Sequence, residues 1–316
     1  MRIPFTKMHG LGNDYLYVDC FAQRLEGIDL PELSRRISDR HRGVGGDGLI
    51  LIAPPTAGTP ADVRMEMYNA DGSRGEMCGN GIRCVAKYAI ERRLHGGGAG
   101  GALASGARPA AAIPLRIQSD RGVHPVEAFA REGAVREVRV GMGAPILAPA
   151  RIPVSLPGDR CIRRPLPLPD HAGPAGLVPP GGALSMTCVS MGNPHAVIFL
   201  DSAGQFDALD SLALHRIGPI IERHTLFPAR TNVHFALVRN RREAAIKTWE
   251  RGAGATMACG TGACAVLTAG VLEDRLDRDA QLHLPGGALR IEWPDGGEVF
   301  MTGPAVEVFS GTWTIA

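Results

Sequence analysis

"EMCGNGIRCVAKYAIERRL" (Glu76–Leu94) and "MACGTGACAVLTAGVLEDRL" (Met257–Leu276) each set a cysteine before a Gly-polar-Gly step and then run on with apolar residues at helical spacing. Cys78 and Cys259, 181 residues apart, therefore read as the starts of two helices. The match extends backwards without a gap. "YNADGSRGEMCGNG" (Tyr68–Gly81) lies over "WERGAGATMACGTG" (Trp249–Gly262), which sets Asn69 on Glu250. Upstream, "GNDYLYVD" (Gly12–Asp19) lies over "GNPHAVIFLD" (Gly192–Asp201) at an offset of 180, and "LRIQSDRG" from Leu115 lies over "LRIEWPDGG" from Leu289 at 174. A period this long excludes a solenoid and implies a tandem duplication of one domain.

The segments between agree with two α/β halves. "YLYVD", "GLILIA", "VRMEMY", "LRIQS", "REVRVGM", "HAVIFLD", "VHFALV", "AAIKTWE", "LRIEW" and "AVEVF" read as short strands, by alternation or as apolar runs between turn residues. After Cys78, residues Ile82, Val85, Ala86, Ala89, Ile90 and Leu94 fall on one helical face, whereas the helix after Cys259 is apolar nearly all round and should be wrapped by a sheet. Further helices are expected at Leu30–Arg40 and Leu209–His224, one per half. The Gly/Ala stretch His95–Ala112 and the Pro-rich run Pro153–Pro180 read as loop or linker. The "GVGGDG" loop leads into the strand-like "LILIA" rather than a helix, which makes it a poor dinucleotide motif.

Composition narrows the function. A chain of 316 residues with 45% hydrophobic and 21% charged residues is that of a folded protein with about two domains. With 34 basic against 32 acidic residues and a net charge of +2, no basic field points to nucleic acid or an anionic membrane. The N-terminus lacks an apolar signal core, and the stretch "ACAVLTAGVL" is too short to span a bilayer, so the expected partner is a small molecule and the expected location the cytoplasm. Seven cysteines argue for reduced thiols rather than a disulfide framework, and the spacings Cys78–Cys84 and Cys259–Cys264 are not those of a zinc site, so no metal is expected. Cys20, Cys84, Cys161, Cys188 and Cys264 read as small core hydrophobes.

Two cysteines at helix starts suggest specific chemistry. A helix N-terminus offers unpaired N–H groups and partial positive charge, which bind carboxylates and favour thiolate. Glycines after each cysteine would let substrate approach the backbone. If the halves face each other across a cleft, two helix starts converge on one carboxylate, and two sulfurs flank the carbon attached to it. That arrangement suits stereoinversion at an α-carbon, with one thiolate as base and one thiol as acid.

Together "MHGLGNDY", "YNADGSRGEMCGNGIRC", "GNPHAV", "RTNVHFALV" and "WERGAGATMACGTGA" resemble the diaminopimelate epimerases over nearly the whole chain. The related proline racemases also use paired cysteines but usually carry His where Asn80 stands and lack the "ERGAG" lead-in. The resemblance implies an α/β (α+β) fold of two pseudo-symmetric duplicated domains, each a mixed β-sheet curled around a central helix. The domains would be residues 1–143 plus 305–316, the last strand returning to the first half, and residues 144–304. It implies Cys78 and Cys259 as the acid/base pair, with N–H groups of Gly79, Asn80, Gly260 and Thr261 on the reacting carboxylate. Glu250, helped by Asn69, would hold the α-ammonium, and Asn13, Asn193, Asn232 and Arg251 the distal amino-acid head. His195 and Glu250 would tune the thiol pKa values, although His195 also reads as a satisfied core histidine. No cofactor is implied, and a homodimer is. The pattern departs at Gly48, where some members carry Gln. A racemase for another amino acid, of histidine or proline type, and a non-catalytic amino-acid binder or structural protein are the rival readings.

Overall fold

The computed structural model describes residues 1–94, 112–169, 183–200, 209 and 212–315. Nearly all of the Gly/Ala stretch, the end of the Pro-rich run and part of the helix expected from Leu209 lie outside the described residues. The chain divides into two compact units, Met1–Gly141 with Thr302–Ala316, and Met142–Met301.

In the first unit, β1 (Arg2–Gly10) and β2 (Asn13–Asp19) form an antiparallel hairpin in which Gly10 faces Asn13. Leu11 and Gly12 close it with φ of 59° and 84°, a turn that leaves Asn13 at the sheet's end. Helix α1 (Leu30–Ser38), capped by Asp29 on the N–H of Glu32, crosses to β3 (Gly48–Ala53), which runs parallel to β2. β4 (Val63–Asn69) is antiparallel to β3, and the two-residue β5 (Arg74–Gly75) folds back on β4. Helix α2 (Gly79–Glu91) follows, and β6 (Ile113–Ser119) returns parallel to β4. β7 (Gly122–Arg131) and β8 (Ala134–Gly141) complete an antiparallel meander.

The second unit repeats this order. After β9 (Arg164–Pro167), strands β10 (Ala183–Ser190) and β11 (Pro194–Phe199) form the hairpin. Helix α3 (Leu214–Glu222) leads to β12 (Asn232–Asn240), parallel to β11. β13 (Glu243–Glu250) is antiparallel to β12, with the short β14 (Gly254–Ala255) folded on it. Helix α4 (Gly260–Leu272) precedes β15 (Asp279–Leu284), parallel to β13, and β16 (Gly287–Glu292) pairs with β15. β17 (Phe300–Pro304) carries the chain back, and β18 (Val306–Thr314) pairs antiparallel with β1 in the first unit. Strand by strand, parallel and antiparallel pairings match between the units, so the duplication is written in the connectivity.

One expected match is corrected by this topology. "LRIQS" lies in β6, whose counterpart is β15, whereas "LRIEW" lies in β16. The shared Leu-Arg-Ile is a strand alternation that any half-buried strand can carry. β1, β7, β10, β15 and β17 escaped the strand reading, as did the short β5, β9 and β14. β10 is buried at Thr187 and Ser190 as well as at its apolar positions, so it shows no alternation, and β7 turns only one large apolar residue inward, Val126, beside Ala128 and Ala130.

Each sheet curls around one helix. α2 packs on β1, β2, β3, β4, β6, β7 and β8, and α4 on β10, β11, β12, β15 and β16. The expectation of a single buried face on α2 is corrected, because every residue from Gly79 to Ile90 is buried, including Arg83 and Lys87. Lys87 meets the Glu91 carboxylate at 2.6 Å and donates to Val135 O at 2.9 Å, which offsets the cost of burying its charge. On the opposite faces, α1 covers Leu16, Leu49 and Leu51 with Leu33 and Ile37, while α3 covers Ile198, Val233 and Phe235 with Ile217 and Ile221.

The glycines of the two cysteine motifs serve this packing. A Cβ on Gly81 would sit 2.7 Å from Ile50 Cδ1 of β3, and one on Gly262 would sit 2.3 Å from His234 Cε1 of β12. A methyl terminus can rotate away, whereas a hydrogen-bonded ring cannot. Gly262→Ala is therefore expected to lower stability by about 1–3 kcal/mol, and Gly81→Ala by less. Urea unfolding of both variants tests the order.

Candidate active site

Cys78 and Cys259 are the N-cap residues of α2 and α4, with extended backbones at φ −128° and −116°. Cys78 Sγ accepts from the N–H of Gly81 at 3.4 Å, so a sulfur caps the helix where an oxygen usually does. In the first helical turn Ile82 N–H binds Cys78 O and Ala263 N–H binds Cys259 O. Cys78 is half-buried and Cys259 is buried at 4% exposure. Burial, and after it the Glu250 charge, push the Cys259 thiol well above the ordinary range. In the resting unit it is a thiol.

Around Cys78 the hairpin end supplies Asn13. Its Oδ1 accepts from Cys78 Sγ and from Asn80 Nδ2, both at 3.4 Å, and its Nδ2 donates to Asp47 Oδ2 at 2.7 Å. Asp47 also accepts from the N–H of Asp14 and from Arg40 at 2.9 Å. Burial raises Asp47, while Asp14, raised by burial but held by Arg40 and Lys7, falls below the usual carboxylate range. Asn80 Oδ1 accepts from Arg83 Nη2 at 3.0 Å, and the same guanidinium donates to Gly79 O and Pro304 O, each at 3.1 Å. Asn69 lies at the end of β4 and donates to Ser73 Oγ at 2.9 Å.

Around Cys259 the equivalent asparagine is Asn193. Its Nδ2 donates to Thr261 Oγ1 at 3.5 Å, and Thr261 Oγ1 lies 3.6 Å from Cys259 Sγ. Asn193 Oδ1 meets His195 Nε2 at 2.9 Å, His195 Nδ1 meets His234 Nε2 at 2.8 Å, and His234 Nδ1 meets Thr248 Oγ1 at 2.9 Å. Glu250, at the end of β13 where Asn69 ends β4, accepts from Thr256 Oγ1 at 2.6 Å. Asn232 is buried and donates to Pro194 O while accepting from the N–H of Arg251, both at 2.9 Å. The exposed Arg251 side chain donates to Ala229 O at 3.0 Å.

In the first unit the structure thus gathers Asn13, Gly79 and Asn80 around Cys78, and places Asn69 at the end of β4. In the second it gathers Asn193, His195, Gly260 and Thr261 around Cys259, with Glu250 acting on the thiol. Asn232 and Arg251 meet each other through backbone and side chain. Sequence reasoning passed over Asp47, Arg83, His234 and Thr248. Asp47 was visible in "GVGGDG" as a polar residue in a glycine loop without a nucleotide role, while Arg83 had no signal beyond its place on a helix. Gly48 is obligatory, since a Cβ there would lie 2.2 Å from Tyr68 O. Among the described residues there is no group of three or more His, Cys, Asp or Glu placed to hold a metal ion, and no helix is long and apolar enough to cross a membrane.

Comparison with solved structures places the architecture. A hydroxyproline epimerase from Agrobacterium vitis with bound trans-4-hydroxy-L-proline matches 99% of this chain and 91% of its own at a TM-score of 0.61 and 13% identity. A PhzF-family phenazine biosynthesis protein from Bacillus anthracis matches over 100% of both chains at a TM-score of 0.62 and 14% identity. The class is therefore the duplicated fold that these proteins share. The family model for diaminopimelate epimerase matches residues 5–146 and 187–308. Diaminopimelate epimerase of Pelotomaculum thermopropionicum is 46% identical over 310 residues, 98% of each chain, and that of Methanococcus maripaludis is 41% identical over 310 residues, 98% of this chain and 99% of its own. The chain belongs to the diaminopimelate epimerase family and is an isomerase.

The histidine pair has a measurable consequence. Burial, then the neighbouring His234 and Arg251, hold His195 well below the ordinary histidine range, and burial holds His234 at about 3. Both rings are neutral in the folded unit and protonate in the unfolded chain below about pH 6.5. Unfolding then takes up protons, so the pair's contribution to stability is full above about pH 6.5 and declines as pH falls toward the folded values. Thermal unfolding midpoints measured from pH 7 to 4 should fall less steeply for His234→Gln than for the unaltered chain.

Proposed function

We propose that Cys78 and Cys259 are the acid and base with which this chain interconverts LL- and meso-diaminopimelate. One sulfur, as thiolate, removes the α-proton from one face of the carbon. The other, as thiol, delivers a proton to the opposite face, and the thiolate and thiol roles have exchanged when product leaves. The observation that carries this reading is the repeated cap, a cysteine at the N-terminus of the central helix in each of two topologically equivalent units.

The α-proton is weakly acidic, so the carboxylate must be stabilised as it gains enolate character. N–H groups of Gly79, Asn80, Gly260 and Thr261, in the first turns of α2 and α4, suit that task because the helix dipoles favour negative charge there. Glu250, with Asn69, is assigned to the α-ammonium. Arg251 supplies a fork for the distal carboxylate, and Asn13, Asn193 and Asn232 shape the surroundings of the distal head. The two-thiol chemistry needs no cofactor. The product serves lysine and peptidoglycan precursor biosynthesis, and the working form is a cytoplasmic homodimer.

The test is incubation of LL-diaminopimelate in D₂O with the unaltered chain, Cys78→Ala and Cys259→Ala, read by NMR and chiral chromatography. The expected outcome is meso isomer carrying α-deuterium from the unaltered chain and a loss of about 10²–10⁴-fold in each variant. Undiminished turnover in either variant would remove that cysteine from the mechanism. Turnover of histidine or proline in place of diaminopimelate would support a racemase of another amino acid.

A further inference from the structure

The two asparagines beside the cysteines present opposite ends to their neighbours. Asn13 turns its carbonyl oxygen toward Cys78 and Asn80, because its amide nitrogen is taken by the Asp47 carboxylate. Asn193 turns its amide nitrogen toward Thr261, because its oxygen is taken by His195. Asp47 and the His195–His234 pair thus decide which way each amide points.

The polarity of the second chain of contacts follows link by link. A carbonyl oxygen only accepts, so His195 must donate to Asn193 from Nε2–H. His195 is a neutral ring, so its Nδ1 is bare and accepts, and His234 must donate to it from Nε2–H. His234 is also neutral, its Nδ1 accepts, and the Thr248 hydroxyl donates to it. At the other end the Asn193 amide donates to Thr261 Oγ1, which occupies one of that oxygen's two acceptor sites and allows the Thr261 hydroxyl hydrogen to face Cys259 Sγ, 3.6 Å away.

We propose that His234 is a positioning residue: through His195 and Asn193 it orients the Thr261 hydroxyl as a donor to Cys259 Sγ. The proposal rests on Cys259 being one of the two reacting thiols. When Cys259 gives up its proton, a hydrogen-bond donor already faces the sulfur, while Cys78 faces an acceptor oxygen on Asn13 and the N–H of Gly81. The duplicated thiols are thereby unequal. His234 is held by three elements: β11 through His195, β13 through Thr248, and α4 through the backbone of Gly262. The charged groups acting on this chain of contacts are Arg251, which opposes protonation of His195, and Glu250, which opposes the Cys259 thiolate.

The experiment combines ¹⁵N NMR of the histidine rings with the pH dependence of kcat/KM for diaminopimelate in the full chain. In the unaltered chain His195 should be the Nε2–H tautomer. His234→Leu, which keeps the bulk and removes the donor, should mix the His195 tautomers, lower kcat/KM about 3–10-fold, and move its alkaline limb upward by about 0.5–1 pH unit, as loss of a donor to a thiolate requires. His234→Gln, whose amide N–H can replace Nε2–H, should restore both the tautomer and the limb. If His234→Leu does not fold, Thr248→Val, which removes only the outermost donor, should shift tautomer and limb in the same direction by less. An unchanged His195 tautomer, or a lower rate with an unmoved limb, overturns the proposal. Full activity of Cys259→Ala would instead overturn the two-thiol reading, and the tautomer result would stand apart from it.

Discussion

Everything in each unit depends on a helix start pressed against a strand side chain, with a glycine and so no side chain on the helix's side of the contact. Gly81 lies on Ile50 and Gly262 on His234, closer than any Cβ would permit. That contact seats the first turn of the central helix deep in the sheet, which is why the helix is buried on all sides. It also sets where the cysteine stands. A residue one step before the first helical turn has an extended backbone in both units, and in the first the Cys78 sulfur turns back to accept from the N–H of Gly81, which has no helical partner. The glycines that a sequence reader assigns to substrate access are needed first for packing.

The same frame carries different chemistry in its two copies. Position by position, Asn13 answers to Asn193, Asn80 to Thr261, Asn69 to Glu250 and Ile50 to His234. The contact between the asparagine and the residue after the cysteine is kept in both, Asn13 with Asn80 and Asn193 with Thr261. What anchors the asparagine is not kept. A carboxylate held by Arg40 does so in the first unit, and a pair of neutral imidazoles in the second. Burial keeps the imidazoles uncharged, so they act through hydrogen-bond direction rather than charge. Several residues expected to meet substrate are thus engaged within their own unit. Asn232, with its nitrogen on Pro194 O and its oxygen on the N–H of Arg251, shapes the backbone that presents the arginine.

Sequence alone determined the duplication, the two cysteine-led helices, most of the strands and the family, because these rest on local signals: a repeated motif, apolar runs, and alternation along strands such as β4. It also marked the residues nearest the two cysteines, since they lie within a few positions of the motifs or in short Gly-Asn turns. The structure alone decided which strands are equivalent, because pairing is a long-range choice that the Leu-Arg-Ile repeat misrepresents. It alone decided that Arg83 is buried and that His234 belongs to the site. His234 sits in an apolar strand, 25 residues before Cys259, and nothing along the chain says which face of that strand meets the helix. Parallel pairing of β11 with β12 sets His195 opposite Asn232 and His234 opposite Val197, which leaves the two rings as diagonal neighbours within hydrogen-bond reach, and packing of α4 on β12 brings Gly262 onto His234. A hydrogen-bond direction exists only once such neighbours are in place, which is why two motifs alike in sequence present unlike sulfurs in the folded chain.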